Sequence, residues 1–137
     1  MAQFYLLSVL TNAIAGFAFA SDFFGEKIAF LSPWKNIRSQ KTTVIVIGAA
    51  AAIVGFVKLF VSSPGETVFF AGDLLPAAVG ILLGGILLFE GLRVQEEGKA
   101  EQLKKITTAV LTYRVPLGIV GVAVAFLHFL IPGAPLL

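Results

Sequence analysis

The stretch Phe70-Ala-Gly-Asp-Leu-Leu-Pro-Ala-Ala-Val-Gly-Ile-Leu-Leu-Gly-Gly-Ile-Leu-Leu-Phe-Glu-Gly-Leu-Arg93 decides the fold. It is long and apolar enough to cross a bilayer, whose hydrocarbon core of about 30 Å takes roughly 17–25 residues of helix. Read at helical spacing from Asp73, it carries Ala77, Gly80, Gly84 and, slightly off line, Gly91. Small residues three and four apart let a second helix approach backbone to backbone, the usual way helices associate in lipid. An acid stands at one end of this stripe. Glu90 and Arg93 close the other, one turn apart, and their spacing predicts a boundary ion pair.

Three further apolar runs flank this one. The predicted spans are residues 4–20, 43–61, 70–89 and 115–131. Of the 137 residues, 58% are hydrophobic and 13% charged, with a mean hydropathy of +0.95. A soluble domain is roughly a quarter charged, so a soluble fold would leave these helices with nothing to bury against. The class is an all-α integral membrane protein, a four-helix bundle forming one membrane domain over 1–137. The Ala18-Phe19-Ala20 triplet before Ser21 has the look of a signal-peptidase site. No basic residue precedes the apolar run, however, which favours an ordinary first span.

The connectors set an expected orientation. Residues 21–42 carry Lys27, Lys35, Arg38 and Lys41 against Asp22 and Glu26. Phe23, Phe24, Ile28, Phe30 and Leu31 make this connector too apolar for a free loop and predict a short interfacial helix. Ser32-Pro33-Trp34 is read as its break, with Trp34 at headgroup level. Ser62-Ser63-Pro64-Gly65 marks a turn. From Glu90 to Lys105 the chain is charged but keeps helical periodicity, so the third helix is expected to project past the bilayer. The third connector also carries Lys99, Lys104 and Arg114. The positive-inside rule then puts the first and third connectors in the cytoplasm and both termini outside, as in a bacterial inner membrane.

The halves 1–66 and 67–137 resemble each other. Leu10, Ala13 and Gly16 fall on Leu74, Ala77 and Gly80 when Asn12 is laid on Pro76. In the following spans Ala51-Gly55-Lys58 falls on Gly121-Ala125-His128. Two parallel two-helix repeats would be related by an axis along the membrane normal. Low-complexity apolar sequence also matches itself easily.

Ionisable groups inside spans are costly and mark functional positions. Lys58, Asp73, His128 and Asn12 are the candidate polar site, opening to the outside. Each has a plainer explanation. Lys58 can snorkel to headgroups, His128 can be a hydrogen-bonded packing residue, and Asp73 before Pro76 suits a helix start. Helix packing is assigned to Ala77, Gly80, Gly84, Gly55 and Gly121.

The chain has no cysteine and one histidine, which excludes thiolate chemistry and a multi-histidine metal site within one chain. No Ser–His–acid, HExxH or phosphate-loop pattern occurs. No enzyme activity, cofactor, metal or nucleic-acid partner is expected. The expected partners are the lipid bilayer, further copies of the chain in a homo-oligomer, and a cytoplasmic protein at 90–105. Two functions follow: a non-catalytic oligomeric membrane subunit or scaffold, and a small channel or transporter for an anion or proton-coupled solute.

Overall fold

The computed structural model describes residues 2–60, 73–93 and 101–131, all helix and short links, with no strand among them. The order is α1 (Ala2–Phe19), α2 (Ser21–Lys27), a 3-10 helix (Ala29–Ser39), α3 (Lys41–Lys58), α4 (Leu74–Arg93) and α5 (Glu101–Leu130). Three helices are long and apolar enough to cross a membrane, and α1 with α2 makes a fourth if that bent pair counts as one span. Large apolar side chains such as Leu10, Ile53, Leu82 and Phe126 cover the outside of the bundle. In water this surface would be unstable; in lipid it is the expected exterior.

The helices alternate in direction. Tyr5 near the start of α1 meets His128 near the end of α5, and Lys58 at the end of α3 meets Asp73 just before α4. At the opposite end Arg38 meets Glu90, and Arg114 meets Asp22. The main packing is α3 on α4 and α1 on α5, and α1 also touches both α3 and α4.

Both main seams are built from glycine. A Cβ added at Gly84 would lie 2.4 Å from the backbone nitrogen of Ala52, and one at Gly118 would lie 2.8 Å from the carbonyl oxygen of Gly16. Backbone cannot yield as a flexible side chain can, so any side chain there forces the helices apart. Gly55 sits against Ala77 and Gly80 on the same α3–α4 seam, and Gly121 faces Leu83 and Gly16. The assigned packing residues therefore face helices of the same chain. Gly85 is different: nothing lies within 4 Å of its added Cβ. Between the seams Ala15, Ala18, Phe19, Val44, Ala51, Leu83 and Leu87 form the buried apolar core.

The first connector departs from expectation. The chain turns by 86° between α1 and α2, at Ala20, whose backbone is non-helical. Pro33 does not break the following element; it lies inside the 3-10 helix, and the break falls earlier, at extended Ile28. A 3-10 helix stacks residues three apart, so Leu31, Trp34 and Ile37 share its half-buried side. Ile37 packs against the apolar core.

The charged stretch after the third span also reads differently. Glu101–Lys105 belongs to α5, a 30-residue helix whose membrane-length apolar window is Thr112–Leu130. Residues 94–100, expected to prolong the third helix, lie outside the described residues, as does the predicted turn at 62–65.

Candidate functional site

The site follows from where the four helices end. Lys58 is the last residue of α3, His128 lies in the last turn of α5, and Asp73 immediately precedes α4. Helix C-termini favour positive charge and N-termini negative charge, so each side chain matches the end that carries it. The alternation of helix directions then brings these ends to one level.

The Lys58 ammonium donates to one Asp73 carboxylate oxygen. The other Asp73 oxygen lies 3.9 Å from Nε2 of His128. All three residues are buried: Lys58 is 4% exposed, Asp73 1% and His128 0%. The structure thus brings together three residues that lie on separate elements.

A fourth residue completes the cluster. The Tyr5 ring lies 4.8 Å from the His128 ring and 5.8 Å from the Lys58 ammonium. Its hydroxyl donates to the carbonyl oxygens of His128 at 2.7 Å and Phe129 at 3.0 Å. These are last-turn carbonyls of α5, which lack intrahelical donors. The His128 carbonyl would ordinarily accept from the residue four further on, and Pro132 has no N–H to give. Tyr5 is therefore a side-chain cap on the end of α5. Each of the four bundle helices contributes one group, counting Asp73 with α4.

Asn12 lies deeper in the bundle. Its side-chain amide donates to the carbonyl oxygen of Pro76 at 2.9 Å. Gly80 makes room for it: a Cβ at position 80 would come within 2.8 Å of Asn12 Oδ1. Ser8, also buried, stands between Tyr5 and Asn12 on the same face of α1. Sequence inspection missed Tyr5 and Ser8, although Tyr5, Ser8 and Asn12 repeat at i, i+3 and i+7, the mark of one helix face.

At the opposite end, Glu90 accepts from Arg38 at 2.7 Å. Glu90 thus takes a partner 52 residues away; the expected Glu90–Arg93 pair falls on the Arg93 side chain, which lies outside the described ones. Arg114 donates to Asp22 across α5 and α2. Each pair ties the first connector to a long helix at this end, Arg38 of the 3-10 helix to Glu90 of α4 and Asp22 of α2 to Arg114 of α5. Below the buried cluster, the apolar core separates it from these pairs.

These observations define an all-helical bundle with several membrane-length apolar helices and a buried polar cluster at one end. Residues 1–128 match the model of a protein family described as a domain of unknown function, and the chain belongs to that family. No curated protein and no solved structure matches it.

Proposed function

We propose that the chain is a non-catalytic membrane subunit: a closed four-span bundle whose polar groups tie helices together at its two ends. The observation that carries this reading is the separation of those ends. The Lys58–Asp73–His128–Tyr5 cluster and the two arginine–acid pairs lie on opposite sides of a core built from Ala15, Phe19, Leu83 and Leu87, each at most 3% exposed. The seams alongside that core are closed backbone to backbone. A path for a hydrated solute needs polar lining along its length; the middle of this bundle offers Asn12, which is already bonded to Pro76.

Charge asymmetry supports placing both termini outside and the arginine–acid end in the cytoplasm, in a bacterial inner membrane. The parallel repeat gains support from the packing. An axis between α1 and α4 exchanges the α1–α5 seam with the α3–α4 seam. Asn12 and Pro76, which the repeat lays on each other, are hydrogen-bonded, as positions beside such an axis would be. A homo-oligomer would have to use the lipid-facing surface, because the Gly80/Gly84 stripe is already occupied by α3. A cytoplasmic partner would read the ends of α4 and α5 around 90–105.

A transporter for an anion or proton-coupled solute is the second reading. It is favoured by the meeting of Lys58, Asp73 and His128, since buried titratable groups in membranes commonly mark ion routes. Proteoliposome flux of protons and chloride separates the two readings. The subunit reading expects wild type, Lys58→Ala and Asp73→Asn all to match protein-free liposomes. Flux that depends on either residue would overturn it.

A further inference from the structure

The α2 and 3-10 elements fold back on each other as a hairpin at the arginine–acid end. Gly25 of α2 lies against Lys35, where an added Cβ would approach the Lys35 Cβ to 2.9 Å. The Lys35 ammonium closes the hairpin on Glu26 at 3.1 Å. Because α2 leaves α1 at 86°, the hairpin runs across the bundle axis and so along the plane of any membrane that α1 crosses.

The hairpin has two anchors. Arg114 on Asp22 holds its start, and Arg38 on Glu90 holds its end. Phe24 stacks edge-on against Phe17 of α1 at 4.9 Å, fixing the inner side. The tip, by contrast, is turned outward. Phe30 is 87% exposed and Ile28 40%, between exposed Lys27 and Lys35. Two apolar side chains beside lysines would be unfavourable in bulk water and suit the boundary between headgroups and acyl chains.

Charge selects the lipid. Residues 21–41 carry Lys27, Lys35, Arg38 and Lys41 against Asp22 and Glu26. Both acids are already engaged with Arg114 and Lys35, so the outward field of the hairpin is positive. Basic side chains at a bilayer surface attract anionic headgroups by about 1 kcal/mol each.

We propose that the α2–3-10 hairpin is an anionic-phospholipid docking surface, with Phe30 and Ile28 inserted among the upper acyl chains and Lys27 and Lys41 against the headgroup phosphates. The inference does not depend on which leaflet the hairpin faces, nor on whether the bundle transports anything.

The only tryptophan, Trp34, lies in the 3-10 helix and reports the position of the hairpin directly. The full chain is placed in bilayer nanodiscs, and Trp34 fluorescence is quenched with spin-labelled phosphatidylglycerol or spin-labelled phosphatidylcholine at equal mole fraction. The expected result is about twofold or greater excess quenching by the anionic lipid, lost at high salt and in Lys27→Gln/Lys41→Gln, with Trp34 shielded from aqueous iodide. Salt titration of the wild type serves should the variant fold poorly. Equal quenching by the two lipids would overturn the anionic preference, and free access of iodide to Trp34 would overturn the membrane placement.

Discussion

Lys58 and Asp73, fifteen residues apart in sequence, form a buried ion pair that joins the end of α3 to the start of α4. An ion pair removed from water is weak evidence of net stabilisation, because desolvation offsets much of the attraction. Removing one partner is different, since it strands the other charge. Lys58→Met or Asp73→Leu alone is expected to destabilise the bundle by about 3–5 kcal/mol, with the double variant recovering most of the loss. Unfolding in mixed micelles would measure this cycle. Additive losses would show that the two side chains act independently.

Tyr5→Phe keeps the ring against His128 and removes only the hydroxyl that caps α5. The expected cost is about 1 kcal/mol, with fraying confined to the last turn of α5. Amide exchange at Leu127–Ile131 is the readout. Unchanged protection there would contradict the capping role.

Two adjacent glycines make a controlled comparison. Gly84→Ala places a methyl against the backbone of Ala52 and should cost about 1–3 kcal/mol by overpacking. Gly85→Ala meets open space and should be neutral or stabilising, by up to about 1 kcal/mol of helix propensity. Equal effects at the two positions would place the α3–α4 seam elsewhere.

The two arginine–acid pairs differ in exposure. The Arg38–Glu90 side chains are each 17% exposed, whereas Asp22 in the Arg114 pair is 46% exposed. Solvent screening weakens the more open pair. Glu90→Gln is therefore expected to destabilise more than Asp22→Asn, with the Asp22 effect fading first as salt is raised. A larger effect at Asp22 would invert this order.

Much of the fold was legible in the sequence because lipid imposes few options. Apolar runs of membrane length, interrupted by charged connectors, specify spans with little ambiguity. Lys58, Asp73 and His128 stood out for a related reason, since charge is costly in hydrocarbon and seldom placed there without use. What could not be read was pairing between distant elements. That Glu90 meets Arg38 depends on how the 3-10 helix is set against α4, which spacing within α4 cannot convey. The glycine stripe marked a close-packing face, but whether the partner was α3 or another subunit was open until the helices were placed. Pro33 misled because proline is incompatible with the interior of an α-helix, yet a single missing donor is tolerated in a 3-10 helix that loses only that one bond.

The closed state of the polar cluster is the central claim, and cysteine accessibility tests it most directly. The native chain contains no cysteine, so Ser8→Cys introduces a single thiol, nearly isosteric with the serine and on the buried face between Tyr5 and Asn12. In mixed micelles, where both ends of the bundle meet the reagent, this thiol should resist a charged, water-soluble methanethiosulfonate reagent, while a control thiol at exposed Ser39 reacts readily. Rapid modification at position 8 would mean that water reaches the cluster, and would contradict a closed bundle.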